Sequence, residues 1–212
     1  MLKGMGAAAG SPSTPSEGWR EGRLLGVQVG CVRALQVGPR RVTSAIAKTS
    51  VTGAVAVGPL GLAGDEQADP SVHGGLTKAV YAYPVEHLAL WQEARRGFDV
   101  PGWDIPMAPG MLGENLLIEG LQEREVWVGD RLHLPDCVLR VTAPREPCHK
   151  FTAVMGFAQA ARWMLTHRAC GFYLAVERPG TLQAGQAFAL QPGPRALSIA
   201  DALWARRLKA LR

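Results

Sequence analysis

The chain has 212 residues, 47% hydrophobic and 19% charged, enough apolar material for one core domain with small appendages. Twenty-three Lys and Arg against 18 Asp and Glu give a net charge of +5, a bias toward anionic partners that says nothing about fold. Gly and Pro interrupt even the most apolar stretch, Val51 to Leu62, so a helical membrane span and a membrane partner are excluded.

Residues 1–22 hold Gly, Ala, Ser, Thr and Pro but no continuous apolar core, and read as a flexible tail on a cytoplasmic protein. From Leu24 onward, short β-prone runs alternate with turn signals: Leu24 to Val32, Ser44 to Val51, Leu116 to Glu119 and Glu125 to Val128. Between Cys137 and Thr142 the alternation sets Cys137, Leu139 and Val141 on one face, as in a half-buried strand. Helices are expected at Pro84 to Arg96, where Pro84 stands near the start, and at Thr152 to His167. Pro192, Gly193 and Pro194 form a linker, so residues 23–191 make up the domain and residues 192–212 an appendage. In that appendage Ser198 and Asp201 resemble a capping box. Leu197, Trp204, Leu208 and Leu211 form a stripe on an amphipathic helix that permits a homodimer without requiring one. The fold class is mainly β with a few peripheral helices.

Cys31, Cys137, Cys148 and Cys170 are well separated and match no zinc, iron–sulfur or haem spacing, so they are expected as free thiols. No Gly-x-Gly-x-x-Gly or Walker motif is present. The scattered aromatic residues provide no stacking platform, and nucleic acid is not an expected partner. His87, His133 and His167 read as structural or surface residues.

Three stretches carry chemistry. Gly61-Leu62-Ala63-Gly64-Asp65-Glu66-Gln67, followed by His73-Gly74-Gly75 and Lys78, places glycine amides near basic side chains and suits a phosphate or other oxyanion. The same residues also suit two surface turns capped by Asp65. In Gly113-Glu114-Asn115, Asn115 can offer its amide to a polar heterocycle and Glu114 can orient a basic neighbour, although such pairs are common in turns. In Pro144-Arg145-Glu146-Pro147-Cys148-His149-Lys150, two prolines stiffen the loop, and Arg145, His149 and Lys150 favour the thiolate of Cys148. The alternative is a small buried cysteine beneath a basic loop. Cys31, Cys137 and Cys170 are expected in the core.

In this order, with the Val128-Gly129-Asp130 turn between the last two, these motifs closely resemble the MOSC domain (molybdenum cofactor sulfurase C-terminal) and within it the YiiM type, associated with resistance to 6-N-hydroxylaminopurine. The resemblance spans roughly Val29 to Phe188. It implies a β-barrel with helices at its ends, in which Cys148 binds the molybdenum of the pterin cofactor, or in sulfurase relatives carries sulfur. His73, Gly74, Gly75, Lys78, Asn115, Arg145 and Lys150 are then the candidates to line the molybdenum cofactor. YiiM-type proteins typically continue into a three-helix module, for which only Ser198 to Leu211 is available. The leading expectation is a molybdenum oxidoreductase that reduces small N-hydroxylated substrates to amines. Because no iron–sulfur, haem or flavin motif is present, it requires an external reductase. The alternatives are a sulfur carrier using a Cys148 persulfide and a non-catalytic anion-binding module.

Overall fold

The computed structural model describes residues 18–69 and 73–210. In chain order, the first half holds β1 (Arg20–Val29), β2 (Arg33–Val37), β3 (Arg40–Ser44), β4 (Thr49–Ser50), β5 (Val55–Gly58), β6 (Gly61–Leu62), β7 (Val80–Pro84), a 3-10 turn (Val85–His87) and α1 (Leu88–Gly97). The second half holds β8 (Leu116–Glu119), β9 (Arg131–His133), β10 (Val138–Pro144), α2 (His149–Met155), α3 (Ala160–His167), β11 (Phe172–Arg178), β12 (Gly180–Leu182), β13 (Ala187–Gln191) and α4 (Ile199–Ala210).

Seven strands close a barrel in the order β1-β13-β9-β10-β11-β7-β8 and back to β1, with β4 appended to β1. Closure depends on β1 pairing twice. Its first part, Arg20 to Arg23, runs antiparallel to β13, and from Arg23 to Val27, through a bulge between Leu24 and Gly26, it runs antiparallel to β8. β7 and β8 are parallel, so the chain needs a long crossover between them, which contains α1. Leu24, Val27, Ala82, Leu116, Ile118, Leu139, Val141, Phe172, Leu174 and Leu190 are fully buried. β7 is buried along its whole length, as a strand covered on both faces must be. β5, β6 and β12 form a small separate sheet, and β2 and β3 form a two-stranded ribbon.

The β class, the barrel, the 116–119 strand and the alternation through Cys137, Leu139 and Val141 are all present. Other boundaries differ. β1 begins at Arg20, three residues inside the stretch assigned to the tail, while residues 1–17 lie outside the described residues. It also ends at Val29, and Cys31 is exposed rather than in the core: Gly30 N–H donates to the Asp65 carboxylate and Val32 N–H to that of Glu66, which holds this segment at the surface.

The run from Ser44 to Val51 is strand only at its ends, because its middle hydrogen-bonds to a turn and not to another strand, with Lys48 N–H on Gly110 O at 3.1 Å. Residues 125–128 form a turn fastened by Asp130, which accepts Trp127 N–H at 2.9 Å, with a single bridge from Trp127 to Ser198. The helix expected over 152–167 is two helices, α2 starting three residues earlier, broken where Gly156 takes φ +81° and packs against Val100.

α4 is capped as expected, with Ser198 Oγ accepting Asp201 N–H at 3.1 Å. Its buried side, however, is Ile199, Ala200, Ala202 and Leu203, while Leu197 and Trp204 are exposed. The expected stripe is two residues out of phase, roughly 200° around a helix of 3.6 residues per turn. Leu208 and Leu211 lie outside the described side chains.

Candidate functional site

A cleft open to solvent lies against the barrel where the segment 44–48, residues 65–69 and 73–78, and the loop before α2 converge. His73, Lys78, Asn115, Arg145, Cys148 and Lys150 all line it, so residues up to 77 positions apart in sequence form one wall set. Gly74 and Gly75 do not line it. They shape the loop that carries His73, with φ +155° and +77°, and Gly75 N–H donates to Gln67 Oε1 at 3.3 Å.

Cys148 immediately precedes α2 in extended backbone, between the two-proline segment and the first helical turn. Burial alone would raise its pKa. A hydrogen bond from His73, the Arg145 guanidinium and the Phe151 backbone N–H oppose this and hold it at about 6, against an ordinary value near 9. His73 is itself positioned by Tyr173, whose hydroxyl lies 3.2 Å from Nδ1. Cys137 and Cys170 are buried, and burial pushes both thiols up, to about 11 for Cys137. The cleft therefore singles out one reactive thiolate.

Arg145 is 4% exposed, and among the described residues no carboxylate forms an ion pair with it. Its guanidinium lies 4.6 Å from the Phe151 ring centre and 5.8 Å from that of Tyr81, with one N–H directed to Met164 Sδ at 3.8 Å. A buried cation beside aromatic and sulfur groups is costly unless an anion meets it, and among the described residues the Cys148 thiolate acts on it as one. Lys78, over the Tyr173 ring at 5.6 Å, and Lys150 add further positive charge along the walls.

The hydrogen bonds of Asn115, which lines the cleft, and of buried Glu114 run to the scaffold. Both amide hydrogens of Asn115 are engaged, one on Gln28 O at 3.2 Å and one on Asp65 Oδ2 at 2.8 Å, while its Oδ1 accepts Tyr81 N–H at 3.1 Å. Although Lys48 is near enough to favour its charged form, Glu114 forms no ion pair among the described residues. It is fully buried and accepts Gly110 N–H at 2.5 Å and Leu112 N–H at 3.1 Å, and burial lifts its pKa to about 7.

Asp65 is likewise no turn cap. Its carboxylate gathers Gly30 N–H at 2.8 Å, the Asn115 amide and the Lys48 ammonium, in an ion pair whose side chains are 4% and 8% exposed. Lys48, Tyr81 and Tyr173 were not singled out by the sequence. Lys48 sits in a run that resembles a strand, and the two tyrosines read as ordinary β-strand residues. Among the described residues no group of three or more His, Cys, Asp and Glu is arranged to hold a metal ion, so Cys148 is the one soft donor in the cleft.

Residues 69–189 match the MOSC domain model. The chain is 36% identical to "Protein YiiM" of Escherichia coli (strain K12) over 150 residues, which are 71% of this chain and 65% of that protein. It is 31% identical over 176 residues to a protein named "Reductase" from Gibberella moniliformis, covering 82% of this chain but 30% of that one. The crystal structure of YiiM from Geobacillus stearothermophilus superposes with a TM-score of 0.69 at 28% identity, over 89% of this chain and 85% of that one.

Proposed function

The chain belongs to the MOSC domain family, and from that premise we propose that it is an oxidoreductase that binds the molybdenum cofactor and reduces N-hydroxylated compounds, purine bases among them, to amines. The carrying observation is a single thiolate, Cys148, held ionised at neutral pH against a buried arginine that has no carboxylate partner. The reductase named among the relatives supports the reaction class. The residues fit the cofactor: Cys148 is a soft donor for molybdenum, set among the cationic walls of the cleft. When bound, the cofactor supplies the two-electron chemistry of R–NHOH + 2 H⁺ + 2 e⁻ → R–NH₂ + H₂O.

The chain's own residues hold and tune. His73, positioned by Tyr173, and Arg145 keep Cys148 in the form that binds a metal. Arg145, Lys78 and Lys150 give the walls the charge that an anionic pterin phosphate requires. Asp65 and Asn115 fix the walls.

The test is the molybdenum and pterin content of the protein beside Cys148→Ala, both made in a host that synthesises the cofactor, followed by dithionite-driven reduction of an N-hydroxylated purine. Near-stoichiometric metal and turnover, both lost in the variant, are expected. Equal turnover in the variant overturns the reading. Metal-free protein in which Cys148 gains the mass of one sulfur from a persulfide donor assigns the same thiolate to sulfur transfer instead.

A further inference from the structure

The β2–β3 ribbon takes no part in the chemistry of the cleft, and its charge is one-sided. Residues 33–44 contain three arginines and no acidic residue. Leu35, Val37 and Val42 are half-buried, and β2 packs on α2, the helix that begins directly after Cys148. Arg33, Gln36, Arg40 and Arg41 are exposed.

Elsewhere on the surface Arg20, Arg131, Arg140 and Arg206 each meet a carboxylate. Among the described residues, none of the three ribbon arginines does. Glu66, at the base of the ribbon, accepts Val32 N–H at 2.5 Å. The base of the ribbon pairs Arg33 with Ser44, and Ser44 lines the cleft; its far end pairs Val37 with Arg40, roughly 13 Å away at about 3.3 Å per residue.

We propose that this ribbon is the docking surface for an acidic electron-transfer protein that delivers the electrons of the reduction; the inference rests on the reductase reading. Each turnover of R–NHOH to R–NH₂ and water consumes two electrons and two protons, so a one-electron carrier must visit twice and leave twice, each carrier being oxidised by one electron. Such encounters are small, weak and steered by charge. A ribbon that starts at the cleft rim and extends roughly 13 Å from it falls within the footprint of such an encounter, below about 600 Å² per partner. Residues 33–44 contain no aromatic side chain on which unpaired bases could stack, which favours a protein over single-stranded nucleic acid.

The experiment uses the full chain loaded with cofactor, driven either by dithionite or by flavodoxin, an acidic carrier, regenerated with NADPH and its reductase. Arg40→Glu/Arg41→Glu is expected to lower flavodoxin-driven turnover by about tenfold or more, with the dithionite-driven rate within about twofold of wild type. Arg40→Lys/Arg41→Lys keeps both rates, and raising salt from about 20 to about 200 mM mimics the charge reversal.

Flavodoxin binding to the chain without cofactor gives a readout independent of turnover and is expected to weaken in the same variant. Flavodoxin-driven rates indifferent to reversal, or turnover with dithionite and none with flavodoxin, overturn the proposal. If dithionite drives no turnover either, the reductase reading falls, and the binding measurement alone decides the docking surface. A labelled oligonucleotide released by the reversal while flavodoxin binding stays unchanged assigns the ribbon to nucleic acid and overturns the proposal too.

Discussion

At Cys148 two groups from its own loop and helix and one from 75 residues away act on one sulfur, and the balance is measurable. Burial opposes ionisation, while His73, Arg145 and the Phe151 N–H favour it, leaving a pKa of about 6. Alkylation of the Cys148 peptide by iodoacetamide, followed by mass spectrometry to separate it from exposed Cys31, is expected to rise between about pH 5 and 7 and then level. His73→Ala should move the midpoint upward; a midpoint near 9 in the wild type would show that the groups do not act as described.

Arg145 leads to a prediction of opposite sign for stability and function. At pH 5, where the thiol is protonated, the guanidinium is buried among Tyr81, Phe151 and Met164 without an anion. Arg145→Met is expected to stabilise the fold by about 1–4 kcal/mol, as when other buried charges yield to apolar side chains, while cofactor content falls. A lower Tm at pH 5 would mean that the arginine supports the core.

Within the elements, the turn before β8 carries a proton whose effect has a definite sign. Glu114 titrates at about 7 in the fold against 4.5 in a free chain, because burial outweighs its backbone hydrogen bonds. The stability tied to that proton is therefore complete below about pH 4.5 and is lost as pH rises through about 7. The Tm difference between wild type and Glu114→Gln should shrink across this window, since glutamine does not titrate; a constant difference from pH 4.5 to 8 would contradict it.

Elements governed by local pattern were readable from the sequence: the 116–119 strand, the alternation through Cys137, and the Ser198 cap of α4. Elements decided by a distant partner were not. Ser44 to Val51 reads as a β-prone run but its Ile46 and Lys48 lie against Gly113 and Gly110, and Thr152 to His167 has helical spacing but breaks at Gly156, where Val100 leaves a Cβ only 2.7 Å. In the site the same division holds. Cys148 and Arg145 share one stiff loop and could be found by adjacency, whereas Lys48 acquires its role only by folding onto Asp65, 17 residues on.

Over the whole molecule, the cleft forms where β1 leaves the barrel. β1 closes the sheet through β13 and then β8, and directly beyond its end Gly30 N–H is held by Asp65, which also holds Lys48 and Asn115. One carboxylate thus joins the end of β1, the 45–48 wall and the start of β8, and wall position depends on barrel closure. Asp65→Ala leaves the Lys48 ammonium buried without a partner and is expected to cost about 3–5 kcal/mol.

Lys48→Met should cost less, because Asp65 keeps two N–H donors. Combined with Lys48→Met, Asp65→Ala should cost less than it does alone, because no uncompensated charge remains, and urea unfolding of the four proteins gives the coupling. Additive losses would show that Asp65 acts through Gly30 and Asn115 only. A coupling above about 1 kcal/mol, with cofactor content falling alongside stability, would show that the buried ion pair ties the cleft to the barrel.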